Sequence, residues 1–145
     1  MKHRVAVTGL GAITPIGHGA AGLLEGIRTG RPGVKQIERF DASPFSSHVA
    51  AEVTDFDPLQ HLDAKQARRL DRFSQFAVVS ARQAASDAGL DLAHVDRDRI
   101  GAFIGTALGG AAFAEEQYNV YIKEGIRKVR PTLALSVFGG AASCN

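Results

Sequence analysis

The stretch Val5-Ala6-Val7-Thr8-Gly9-Leu10-Gly11-Ala12-Ile13-Thr14-Pro15-Ile16-Gly17 decides the fold class. Val5 and Val7 lie in a short apolar run with the character of a strand, and Gly9 and Gly11 break it. Pro15 and Gly17 prolong the turn, and Ala20–Thr29 (AAGLLEGIRT) reads as a helix stopped by Gly30 and Pro32. A strand, a glycine turn and a helix in that order open an α/β domain.

The same pattern recurs downstream. Ile100–Thr106 (IGAFIGT) reads as a second strand, Ala107-Leu108-Gly109-Gly110 as its glycine loop, and Ala111 to about Lys123 as the helix that follows. Residues 33–61 are irregular, punctuated by Pro44, Ser46, Ser47 and Pro58, with one short strand expected at Val49–Val53. The strongest helical pattern runs from Ala64 to Ala88, with Asp63 as N-cap, Gln66 three residues later, and Gly89 at the C-terminus. Its expected core stripe is Leu70, Phe73, Ala77, Ala81, Ala84 and Ala88. Lys65, Arg68, Arg69 and Arg72 stand at i, i+3, i+4 and i+7, which on one continuous helix places them on a common face. Gly125–Pro131 forms a basic turn with Arg127, Lys128 and Arg130. The last segment, Thr132–Asn145, is small and apolar and carries no polar tail, so further chain or a second chain is expected to cover it.

At 145 residues, 45% apolar and 22% charged, the chain has the size and balance of one globular domain. Its 23 alanines and 16 glycines exceed a quarter of the sequence, a composition suited to helices packed closely on a sheet. A net charge of +2 is far from the basic density of a dedicated nucleic-acid binder. No run approaches eighteen apolar residues, and Met1-Lys2-His3-Arg4 leads directly into the first strand, so neither a membrane span nor a secretory signal is expected. One cysteine, Cys144, cannot form an internal disulfide or a multi-cysteine zinc site and fits a cytoplasmic location.

Several motifs have two readings. Gly9-Leu10-Gly11-Ala12-Ile13-Thr14 begins like a dinucleotide-binding fingerprint, but Thr14 stands where the third glycine belongs, which favours a plain strand-to-helix turn. Histidines at positions 3, 18, 48, 61 and 94 include no i, i+4 pair, so no metal site is expected, and no G-x-S-x-G elbow occurs. Glu115 and Glu116 read as solvated helix acids. Cys144 has no nearby cation to lower its pKa and reads as a small buried thiol rather than a nucleophile. The cations at 65, 68, 69 and 72 are either a solvated face or a dock for an acidic or phosphate-bearing protein partner. A nucleic-acid role lacks the aromatic platform it would need.

Taken together, VAVTGLGAITPIG (Val5–Gly17), RFDASPF (Arg39–Phe45), ARRLDRFSQFAVVSARQAASDAGL (Ala67–Leu90) and RIGAFIGTALGG (Arg99–Gly110) resemble, in order and spacing, the N-terminal portion of the β-ketoacyl-acyl-carrier-protein synthases of the ketosynthase II type. The resemblance covers essentially all of residues 1–145 and extends to polyketide ketosynthases and chain-length factors. It implies an incomplete N-terminal half of a thiolase-like α-β-α-β-α sandwich, homodimeric in the complete enzyme. The implied reaction is decarboxylative Claisen condensation in fatty-acid or polyketide synthesis, with an acyl carrier protein as partner. No metal or organic cofactor is implied, because phosphopantetheine arrives on the carrier.

The family's nucleophilic cysteine and its two histidines belong to later segments, and Cys144 falls one element too early. The resemblance therefore places no catalytic residue in these 145 residues and implies that they are inactive alone. It assigns Leu108 as the gate of the acyl pocket, and Lys65, Arg68, Arg69 and Arg72 as the carrier-docking patch. The alternative is a non-catalytic fragment, akin to a chain-length factor, that serves carrier docking or dimerisation.

Overall fold

The computed structural model describes residues 4–91 and 93–144, so His3 and Asn145 lie outside it. The chain divides into two compact units. One holds the chain through Asp57 together with Ser80–Leu90, and the other holds Pro58–Val79 and the chain from Asp91 onward.

The first unit begins where the glycine turn was expected. β1 (Ile13–Thr14) and β2 (Gly17–His18) form a tight antiparallel hairpin in which Ile13 faces His18 and Thr14 faces Gly17. The Thr14 hydroxyl donates to the Gly17 carbonyl at 2.7 Å and closes the turn. α1 (Gly19–Arg28) follows directly. Gly30, at φ +62°, donates to the Ile27 carbonyl while Arg31 donates to that of Gly26, so the helix ends in a Schellman cap. β3 (Val34–Gln36) pairs antiparallel with β4 (Val49–Ala51), with Lys35 opposite Ala50. β4 is the strand expected at Val49–Val53, two residues shorter. Its partner β3 comes from a segment that read as irregular.

Two expected strands do not form. Neither Val5–Gly9 nor Ile100–Thr106 joins a ladder, and Val5 and Phe103 are 93% and 98% exposed. A strand takes its definition from a hydrogen-bonded neighbour, and among the described residues none pairs with either segment.

Beyond Val7 the glycine segment is fixed by a helix. The Leu10 N–H donates to the Asp87 carboxylate at 2.9 Å, and the Ala12 N–H to Gln83 Oε1 at 3.0 Å. A Cβ on Gly9 would stand 2.2 Å from the Ala84 carbonyl oxygen, and one on Gly11 only 1.9 Å from that of Ser80. These glycines let backbone lie against backbone. The N–H groups at Leu10 and Ala12, which a pyrophosphate would have to engage, are already satisfied by side chains, which settles the segment as a packing turn.

The second unit corrects the long helix. α2 (Ala64–Arg69) starts on Asp63, whose carboxylate accepts from the N–H groups of Lys65 and Gln66 at 2.9 and 2.8 Å. It stops at Leu70, which is extended (φ −88°, ψ 134°), and α3 (Arg72–Asp87) starts afresh. Gly89, at φ +61°, donates to the Ser86 carbonyl and Leu90 to that of Ala85, so the predicted C-terminal cap forms as a Schellman motif. The buried positions of α3 are Ser74, Gln75, Val78 and Val79, not the expected stripe; Phe73 and Ala77 are half-buried and Ala81 is exposed. The break resets the helical phase, and two polar side chains take buried positions.

α4 (Ala111–Glu124) ends at Gly125 (φ +86°), and a 3₁₀ turn at Ile126–Lys128 leads to α5 (Leu133–Val137). Leu62, Val78, Val79, Phe113, Ala141 and Ala142 form the buried apolar positions of this unit. Leu135 and Phe138 are 71% and 70% exposed, in line with the uncovered apolar segment read from the sequence.

The two kinds of glycine separate experimentally. Gly11→Ala is expected to cost about 3 kcal/mol or more, because backbone atoms must move. Gly30→Ala meets nothing within 4 Å and should cost only about 1–2 kcal/mol for its left-handed backbone. Denaturant midpoints of the two variants provide the comparison, and equal losses would contradict the close-packing account.

Candidate functional site

The exposed cations of α2 depend on how that helix ends. Its last carbonyls cannot find helical N–H partners beyond Leu70, and buried carbonyls without partners are destabilising. Gln75, itself buried, supplies them: its Nε2 donates to the Ala67 carbonyl at 2.9 Å and to the Leu70 carbonyl at 3.2 Å. One amide from the first turns of α3 thus caps α2 and fixes the bend.

The bend divides the predicted basic stripe. Lys65, Arg68 and Arg69 remain exposed on α2. Arg72 opens α3, is half-buried, and holds its guanidinium 4.9 Å from the centre of the Phe76 ring. The four cations do not share one helix face, because the i+7 spacing crosses an extended residue.

A different cation joins the α2 group. Arg130, from the basic turn, donates from Nη1 to the Arg68 carbonyl at 3.4 Å and lies 5.4 Å above the Phe113 ring. Its backbone is held as well, since the Arg130 N–H donates to Oε1 of the buried Gln117 at 2.8 Å. Arg127 and Lys128, exposed in the preceding 3₁₀ turn, belong to the same segment. The sequence showed both basic segments but not their meeting, because 62 residues separate Arg68 from Arg130.

Three aspartates of this unit are engaged by backbone. Asp63 caps α2, Asp91 accepts from the Ala93 N–H, and Asp96 accepts from that of Asp98. The Asp91 carboxyl is held below its ordinary pKa, first by its hydrogen bond with His94 and then by the Ala93 N–H. Among the described residues no carboxylate pairs with Lys65, Arg68, Arg69 or Arg130. Lys65, Arg68, Arg69 and Arg130 are exposed cations.

Leu108 sits elsewhere in the same unit and is 78% exposed. Its loop is held on α5. Gly109, at φ +55°, donates to the Thr106 hydroxyl at 3.0 Å, and the Gly110 N–H donates to the Val137 carbonyl at 2.9 Å. A Cβ on either glycine would fall 2.5 Å from an α5 carbonyl oxygen, Val137 for Gly109 and Ser136 for Gly110. α5 also touches α2, through the Ser136 hydroxyl at 3.3 Å from the Arg69 carbonyl. Leu108 and the cations are therefore not in contact but share a support.

Cys144 is exposed, not buried as its sequence context had indicated. Its backbone N–H donates to the Gly140 carbonyl at 3.3 Å, and it follows the short turn Gly139–Ala141.

Comparisons with known proteins agree on one family. The β-ketoacyl synthase N-terminal domain matches residues 2–144. The chain belongs to the β-ketoacyl synthase family. It is 44% identical over 130 residues to the 3-oxoacyl-(acyl-carrier-protein) synthase 2 of Coxiella burnetii, covering 90% of this chain and 31% of that protein. To the enzyme of the same name from Synechocystis it is 42% identical over 142 residues, 98% of this chain and 34% of the relative. Among solved structures it resembles one chain of a complex described as a type II PKS acyl-carrier protein with its ketosynthase bound to the hexaketide. That match has a TM-score of 0.81 at 26% identity, covering 99% of this chain and 38% of that one. The chain thus spans about a third of the length of the curated relatives it matches.

Gln75→Leu tests the bend. Leaving two carbonyls without a donor should cost roughly 1–3 kcal/mol, with faster amide exchange along α2 than along the second half of α3. Unchanged exchange in α2 would show that the amide does not hold the helix end.

Proposed function

We propose that the protein acts as a β-ketoacyl-acyl-carrier-protein synthase and that α2, with the Arg127–Arg130 turn, receives the carrier. The observation that carries the docking reading is the delivery of Arg130 to the backbone of Arg68, beside α2 cations that pair with no carboxylate among the described residues. A partner protein rich in acidic residues gains both encounter rate and orientation from such a surface. The similar solved complex of an acyl-carrier protein with its ketosynthase supports a carrier protein as the partner.

In the proposed reaction a cysteine thiolate attacks the carrier-bound acyl thioester and releases the carrier thiol. Malonyl-carrier then loses carbon dioxide to give an enolate, whose carbon attacks the acyl-enzyme. The cysteine thiolate leaves, and the product is a β-ketoacyl-carrier. The nucleophile and the oxyanion-stabilising histidines are assigned to segments other than these 145 residues, which alone carry out no condensation. No metal or organic cofactor enters this scheme. Leu108 serves as a wall of the acyl pocket, completed by a second copy of the chain in a homodimer. Its high exposure supports a role at a surface that another element covers. The proposed setting is the cytoplasm, and no described helix is long and apolar enough to cross a membrane.

Charge reversal tests the docking surface in the complete enzyme. Arg68→Glu together with Arg69→Glu should raise KM for the carrier about tenfold or more, with kcat changed far less and the defect larger at low salt. An unchanged carrier KM would leave these residues as a solvated helix face. In the same enzyme Cys144→Ala should retain acyl transfer and condensation. Recovery of a labelled acyl group on the Cys144 peptide would overturn that assignment.

A further inference from the structure

The cations of α2 and Arg130 differ in how firmly they are held. Arg68 donates from Nε to the Ala64 carbonyl of its own helix at 3.1 Å. The side chains of Lys65 and Arg69 have no polar partner among the described residues. Such a side chain gives up rotamer freedom when it pairs, which is why many exposed ion pairs gain little.

Arg130 has given up that freedom already. Its N–H donates to Gln117 Oε1 at 2.8 Å, and its carbonyl accepts from the Leu133 N–H at 3.0 Å. Pro131 restricts its backbone further. At the far end, the guanidinium carbon lies 5.4 Å from the centre of the Phe113 ring, within cation–π range. Nη1 reaches the Arg68 carbonyl at 3.4 Å. Phe113 and Gln117 stand about one turn apart on α4 and are 8% and 3% exposed, so both holders belong to the packed interior. Arg130 itself is exposed. A guanidinium carries several N–H donors, and the Arg68 carbonyl is their sole acceptor among the described residues, so donors remain for a planar anion.

We propose that Arg130 is the preorganised anchor of the carrier-docking surface and that Gln117 is its positioning residue. The anion Arg130 receives is a carboxylate side chain of the carrier, which matches the guanidinium fork through paired N–H···O bonds. Folding has already fixed Arg130, so it contributes more affinity per charge than the α2 cations, which mainly raise the encounter rate. Gln117 is buried and acts only through Arg130. The inference rests on the carrier-docking reading of this surface.

The test is the dissociation constant of an acyl carrier protein for the complete enzyme, measured with variants that keep the surface charge. Arg130→Lys should weaken binding about tenfold, because lysine has neither the planar fork nor its ring stacking. Arg69→Lys, at a cation without these restraints, should weaken it about twofold or less. Gln117→Met should weaken it about fivefold alone and add nothing in the Arg130→Lys background, since a positioning residue acts through the group it holds. The same losses should appear with a carrier that lacks its phosphopantetheine arm. Equal losses for Arg130→Lys and Arg69→Lys overturn the anchor, even where the Arg68→Glu, Arg69→Glu reversal upholds docking. An additive loss for Gln117→Met overturns its positioning role. A loss confined to the carrier bearing its arm would put the arm's phosphate on Arg130 in place of a carboxylate, and overturns the proposal as well. If Gln117→Met does not fold, the comparison of Arg130→Lys with Arg69→Lys decides alone. Carrier binding unmoved by the charge reversal would sink the docking reading, and this inference with it.

Discussion

One amide group holds the basic surface in shape. Gln75 Nε2 reaches two carbonyls at the end of α2 and takes the place of the N–H groups that a continuing helix would have provided. Without such a donor, ending a helix after six residues would leave polar backbone facing a packed neighbour. A short isolated helix gains little from its own hydrogen bonds, so α2 depends on its two ends. Asp63 closes one and Gln75 the other. The direction in which Lys65, Arg68 and Arg69 project follows from that pair of caps.

The charge balance follows a related logic. A net charge of +2 gives little reason to expect a strongly positive surface. Asp63, Asp91 and Asp96 each accept from backbone N–H groups at i+2. An aspartate engaged in this way stabilises a turn but has less freedom to swing toward a cation. Among the cations, Arg68 donates from Nε to the Ala64 carbonyl at 3.1 Å and Arg130 from Nη1 to that of Arg68.

Local signals were legible in the sequence and relational ones were not. Gly30, Gly89 and Asp63 cap the helices they were expected to cap, because a cap depends on a few neighbouring residues. The extents of α1 and α4 follow for the same reason. The break at Leu70 was invisible, since the apolar spacing runs through it and only the conformation of Leu70 and the reach of Gln75 reveal it. The strand character of Val5–Gly9 and Ile100–Thr106 was read correctly as composition, but a ladder needs a second strand. The candidate site was half legible: the α2 cations were identified, Arg72 was misplaced by the bend, and Arg130 required the tertiary fold.

α5 explains why so short a helix matters. Its five residues offer two carbonyls at one end, Ser136 and Val137, against which Gly110 and Gly109 rest with no room for a side chain. Ser136 meanwhile turns its hydroxyl toward Arg69 on α2. The loop that presents Leu108 and the helix that presents the cations are therefore positioned from two adjacent residues, Val137 through its carbonyl to the Gly110 N–H and Ser136 through its hydroxyl to Arg69. Small side chains are what make this possible. Any bulk at Gly109, Gly110 or Ser136 would push one of the two surfaces away from α5, and their geometry could not be adjusted independently.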